Sequence, residues 1–156
     1  MNIVRLFVFL FFCFLSFPLH AKINIQESQR LVFPQVERPQ SAQETVEVTT
    51  GGNVGSSTTA SVINYQQANG LYIISSNNNN RKDISININN ISTPAGISVD
   101  QFIISYKGSS YSNFPVFDLP DPAGGSDLKI GAVISIDSTL QEGDFSFSYD
   151  LTVEEQ

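Results

Sequence analysis

Residues 144–154 read Asp-Phe-Ser-Phe-Ser-Tyr-Asp-Leu-Thr-Val-Glu. Phe145, Phe147, Tyr149, Leu151 and Val153 alternate with Ser146, Ser148, Asp150, Thr152 and Glu154. Successive side chains of a strand point to opposite faces, so this stretch has one apolar face and one wet face. Just upstream, Leu128, Ile130, Ala132, Ile134 and Ile136 make a second stripe of the same period. Asp137 to Gly143 connects the two, with Gly143 free to take positive φ. The expectation is a hairpin.

The same pattern repeats toward the N-terminus. Ile84, Ile86 and Ile88 alternate with Ser85, Asn87 and Asn89; Val99 and Phe102 to Tyr106 predict another strand. Leu71 to Ile74, Ala60 to Tyr65 and Thr45 to Thr49 add three more. Arg30 to Val36 is expected to open the core, with Pro34 favouring an edge or a bulge. Gly, Pro, Asn and Asp clusters separate these runs, and no long segment carries a helical period. The prediction is an all-β protein, an immunoglobulin-like antiparallel β-sandwich of about seven or eight strands. Two loops stand out: the tract Asn77–Asn80, and Lys107–Asp127, which holds Pro115, Pro120, Pro122 and Gly124-Gly125 and is expected to lack regular structure.

The N-terminus has a different grammar. Arg5 is followed by the apolar stretch Leu6–Phe17, then Pro18 and a small residue, Ala21. A charged start, a short apolar run and a small residue before the cut predict a secretory signal peptide over 1–21. The run is too short for the roughly 20 apolar residues of a spanning helix. Residues 22–156 are expected to form the single β-sandwich domain, placed in the periplasm, at the cell surface or outside the cell, without membrane insertion.

Cleavage after Ala21 would take Arg5, Cys13 and His20 together. The formal charge moves from −7 to −8, because Arg5 is the only charge removed. No disulfide can then form, and Ser-His-Asp catalysis, Cys-His catalysis and the usual zinc sites lose their essential side chains. Gly51-Gly52-Asn53-Val54-Gly55 is not followed by a Lys or a helix, so it reads as a turn rather than a phosphate loop. The acidic balance disfavours nucleic acid, whose recognition relies on clustered Lys and Arg. The expectation is a protein that is not an enzyme and carries no cofactor.

Two sets of residues in the 107–127 loop are candidates for binding. Asp118, Asp121 and Asp127 crowd Gly124-Gly125 with the hard oxygen ligands that calcium takes, though their spacing is not that of an EF-hand. Tyr111, Phe114 and Phe117 are the aromatic types that stack on a sugar or anchor a protein contact.

Three places together carry a family resemblance. Leu31-Val32-Phe33-Pro34 resembles a Leu-x-Phe-Gly opening. Leu128-Lys129-Ile130-Gly131 to Ile136 resembles a hydrophobic-Gly-x-x-Leu-x-Val strand, and Gly143-Asp144-Phe145 to Val153 resembles a terminal Gly-x-Tyr-x-Gly-x-hydrophobic-x-Val strand. The pattern resembles the domain of unknown function 4402 family and, more distantly, spore-coat-U-type pilins of archaic chaperone–usher systems. Pro34, Phe145 and Phe147 depart from its Gly, Tyr and Gly. The resemblance implies a pilin-like sandwich in the periplasm or at the cell surface, completed by a strand from a neighbour. Ile23 and Ile25 are the candidate strand-exchange residues, in a segment of about nine residues that reaches roughly 30 Å when extended, short for a donor; the alternative reading is a first strand paired inside its own sheet. The function expected is a non-enzymatic surface or fimbria-associated subunit whose partners are other surface or pilus subunits and a chaperone. The alternative is a monomeric binding module that recognises a glycan or protein through the 107–127 loop.

Overall fold

The computed structural model describes residues 23–40, 42–77, 82–140 and 146–156. The expected export segment 1–21, residues 78–80 of the asparagine tract and the turn glycine Gly143 lie outside the described residues. Every regular element among those described is a β-strand, and no helix occurs. The eleven strands are β1 (Ile23–Gln29), β2 (Gln35–Val36), β3 (Glu44–Val48), β4 (Val62–Asn64), β5 (Gly70–Ser76), β6 (Ile84–Ser92), β7 (Ile97–Tyr106), β8 (Ser109–Tyr111), β9 (Val116–Leu119), β10 (Ser126–Ile136) and β11 (Ser148–Glu155). The count exceeds the expected seven or eight. The strands beyond the runs read from sequence are β1, β8 and β9; β8 and β9 are too short for an apolar period to repeat, and β1 turns polar after Ile25.

All strand pairings are antiparallel, in a six-stranded sheet, a three-stranded sheet and a two-stranded ribbon. β10 organises the largest. One of its edges pairs with β7 from Leu128↔Tyr106 to Ile136↔Ile97. The other edge is shared: Ser126–Ile130 pair with β5, and Ala132–Ile136 pair with β3. Gly131 sits at the switch between those two neighbours. A Cβ there would lie 2.4 Å from the Val48 carbonyl oxygen and 2.7 Å from the Thr49 carbonyl carbon. The chain leaving β3 therefore crosses directly over Gly131. β1 extends the sheet beyond β5, and β8 beyond β7. Lys107 (φ 46°) and Gly108 (φ 84°) make the two-residue β7–β8 turn, both left-handed as a type I′ hairpin requires.

The expected hairpin between the two C-terminal stripes does not form. β11 pairs with β6, and β9 lies on the other side of β6, so β10 and β11 belong to different sheets. Both edges of β10 are already occupied by β7, β5 and β3, which leaves no edge for β11. The opening of the core is also different. β1, not the 30–36 stretch, is the first strand, paired along β5 with Ile23↔Ser76 and Ile25↔Ile74. It is weakly written because only Ile23 and Ile25 are half-buried, and the rest of this edge strand is exposed. The 107–127 segment, expected to be irregular, carries β8, β9 and the first residues of β10.

The two larger sheets share one buried cluster. The three-stranded sheet supplies Ile84, Ile86, Ile88, Val116, Leu119 and Val153; the six-stranded sheet supplies Ile74, Phe102, Ile104, Tyr106, Leu128, Ile130 and Ala132. β-branched side chains dominate, as suits a pleated, buried face. A second cluster gathers Val46, Ala60, Ile134, Ile136 and Leu140. Phe33 and Val99 pack against both.

Candidate functional site: the groove beside the unpaired edge of β11

A strand at a sheet edge presents unpaired N–H and C=O groups, so each edge must be capped, shortened or left available. β3 is capped. The Thr59 N–H donates to the Thr45 carbonyl and the Gly55 N–H to the Glu47 carbonyl. Hydroxyls of Thr59 and Thr58 accept from the Thr45 and Glu47 N–H groups at 2.8 and 2.9 Å. β8 and β9 are short, and β1, the other outer edge of the six-stranded sheet, has seven residues with one strand partner among the described residues. β11 is eight residues long, and among the described residues its only strand partner is β6.

Beside its N-terminal end lies a groove of about 1020 Å³. Tyr149 lines it from β11 and Phe147 from the residue just before that strand, and Leu31, Phe33 and Val36 from the segment that runs into β2. Buried Ile134, Ile136 and Leu140 contribute from the second core cluster. Four ionic side chains, Glu27, Arg30, Glu37 and Arg38, punctuate the lining. Arg30 pairs with Glu27 at 3.6 Å, and the Arg38 guanidinium donates to the Ser138 carbonyl at 2.6 and 3.2 Å. The ribbon of β2 and β4 adds the exposed side chain of Ile63.

Aromatic contacts hold the walls in place. Phe147 lies 5.6 Å from Phe33 and 6.3 Å from Phe102, ring centre to ring centre, while Phe102 lies 5.0 Å from Tyr149. These tilted pairs are each worth about 0.5–1.5 kcal/mol beyond burial. The Tyr149 and Tyr72 hydroxyls are 3.0 Å apart, joining β11 to β5 across the two sheets.

That pair predicts an alkaline limit. Burial pushes the Tyr149 phenol far up, with the Tyr72 hydrogen bond and charge on Glu27 acting the same way. Burial also raises Tyr72, partly offset by its bond to Tyr149, and burial raises Tyr106. Unfolded tyrosines ionise near pH 10. Because the folded values lie higher, their stabilisation is complete below about pH 10 and declines as pH climbs toward the folded values. Denaturant midpoints measured across alkaline pH should fall, and Tyr149→Phe should flatten that fall. An unchanged slope in the variant would place the effect elsewhere.

The residues singled out from sequence are dispersed. Tyr111 and Phe114 are partly buried against the main core, whereas Phe117 on β9 is 56% exposed. Asp118 is on β9 with φ 54°, Asp121 is in the following loop, and Asp127 is on β10 opposite Ile73. Among the described residues no three carboxylates gather into a group able to hold a metal ion. Ile23 and Ile25 lie on β1, paired within the chain. Phe33, Leu140 and Phe147 went unmarked as site residues. Their apolar character was readable, but which strand edge stays unpaired is a property of the sheet order.

Residues 23–154 match the model of the family described as Domain of unknown function (DUF4402). The chain belongs to that family. No curated protein and no solved structure matches it.

Proposed function

We propose that this DUF4402 chain is an exported, non-enzymatic structural subunit of a surface assembly, pilin-like in build. In this reading the two larger sheets form an immunoglobulin-like sandwich, and the groove beside β11 receives an extended strand from a second copy. One observation carries the proposal: an eight-residue edge strand with one partner borders a 1020 Å³ groove lined by Phe33, Leu140 and Phe147. Strand addition would satisfy the open backbone groups of β11, while apolar side chains of the incoming strand fill the groove. The occupant is β1 of the neighbour. At seven residues it is one residue shorter than β11, it is itself an edge strand, and most of its side chains are exposed.

The test is assembly of the exported protein, followed by light scattering over a range of concentrations. The wild-type chain is expected to form oligomers. Ser148→Lys, which places a charge at an exposed groove position on β11, should leave it monomeric. Its melting behaviour should stay within about 0.5 kcal/mol of wild type, as for other surface changes. A wild-type chain that stays monomeric and folds cooperatively at every concentration would overturn the reading.

A second reading rests on the exposed ring of Phe117. It is a monomeric binding module for a glycan or protein, in which Phe117→Ala abolishes ligand binding without loss of stability.

A further inference from the structure

The loop between β9 and β10 reads Pro120-Asp121-Pro122-Ala123-Gly124-Gly125 and contains the Asp–Pro bond 121–122. Three features surround that bond. The Lys107 ammonium, from the β7–β8 turn, donates to the main-chain carbonyl oxygen of Asp121, the acyl oxygen of the Asp–Pro peptide. Of the Asp121 carboxyl, Oδ1 accepts from the Ala123 N–H at 3.1 Å. Oδ2 is buried and has no hydrogen-bond partner among the described residues. The loop is also held in place: the Tyr106 hydroxyl donates to the Pro120 carbonyl at 2.8 Å, and Pro122 is fully buried. Lys107 in turn lies over the Tyr106 ring, 5.7 Å from its centre.

We infer that Asp121–Pro122 is a self-cleavage site, in which the Asp121 carboxyl attacks its own main-chain carbonyl while Lys107 stabilises the oxyanion. An Asp side chain reaches its own carbonyl carbon by closing a five-membered ring, and a proline nitrogen, as a tertiary amide, accepts a proton more readily than other peptide nitrogens. In the protonated carboxyl, Oδ2 forms a bond to the carbonyl carbon and the carboxyl proton passes to the Pro122 nitrogen. The C–N bond then breaks, leaving a cyclic anhydride at residue 121 and a secondary amine at Pro122. Water opens the anhydride to the α- and β-carboxyl groups of a new C-terminal Asp121. A fixed cation on the carbonyl oxygen serves as an oxyanion donor, the kind of group worth about a hundredfold or more in rate. The groups facing Asp121 are Lys107 and Tyr106, and Lys107 also meets the new α-carboxylate as a counter-ion.

The reaction is a single turnover on the chain itself, and it does not depend on strand exchange at β11. The fragments stay together, because β10 remains paired with β3, β5 and β7, and β11 with β6. What changes is β9. It gains a nearby free end, while only Ile84↔Leu119 and Ile86↔Val116 hold it to β6.

Intact-mass spectrometry of the folded protein, incubated in mild acid, tests the inference. The expected product is a fragment beginning at Pro122 and ending at Gln156, formed about tenfold or more faster than from the same chain denatured in the same buffer. Asp121→Asn should give none of it. Lys107→Ala should slow it about tenfold or more, whereas Lys107→Arg, which keeps a donor cation, should retain most of the rate. Circular dichroism of each variant separates lost chemistry from lost fold. Equal rates in folded and denatured chains would reduce the site to ordinary Asp–Pro lability and overturn the inference, as would an intact folded chain. Lys107→Ala cleaving at the wild-type rate would remove Lys107 from it.

Discussion

Gly131→Ala should cost about 3 kcal/mol or more, or prevent folding, although it adds a single methyl group. The new Cβ would lie 2.4 Å from the Val48 carbonyl oxygen, 2.7 Å from the Thr49 carbonyl carbon and 2.8 Å from the Thr50 nitrogen. All three are backbone atoms, so no side chain can swing away to relieve the contact. Relief requires moving the end of β3 off β10, and that breaks the pairing that begins at Ala132↔Val48. Gly108→Ala is the control. Gly108 has a positive φ of 84° but nothing within 4 Å of an added Cβ, so only conformational strain of about 1 kcal/mol is expected. Urea unfolding of both variants checks the contrast. A Gly131→Ala loss no larger than that of Gly108→Ala would mean that the β3 crossing yields easily.

Tyr106→Ala should be comparably damaging, at about 3–5 kcal/mol, the range for truncating a buried aromatic ring. Tyr106 is 1% exposed and belongs to the cluster shared by the two larger sheets. Tyr106→Phe keeps the ring and removes only the bond to the Pro120 carbonyl, so it should cost about 1 kcal/mol. The ratio of the two losses separates packing from the tether. If Tyr106→Phe costs nearly as much as Tyr106→Ala, the hydroxyl rather than the ring secures the 120–122 loop.

Much of the fold was legible because its long strands alternate. Ile84, Ile86 and Ile88 read as one buried face and are all buried, and the 128–136 stripe became the central strand of the larger sheet. The short strands were not legible. β8 and β9 interrupt a proline-rich stretch that reads as loop, since three or four residues cannot display a period. The aromatic residues of that stretch looked alike in sequence, yet Tyr111 and Phe114 pack on the core and Phe117 faces solvent. Their separation depends on which edges β8 and β9 join, and those partners lie on β7 and β6.

The terminal stripe shows where sequence stops and tertiary structure begins. Its alternation established by itself that 144–154 contains a strand with an apolar face, because side-chain direction in a strand depends only on position along the chain. That residues 22–156 hold no His and no Cys was likewise readable without the fold. The partner of that strand was a different matter. Proximity in sequence favoured β10, but β10 has two edges and both were taken, so β11 pairs with β6 instead. That choice leaves β11 with an open edge and Phe147 beside a groove. Strand pairing is a competition among all the edges of a sheet, and only the assembled fold decides which of them is left over.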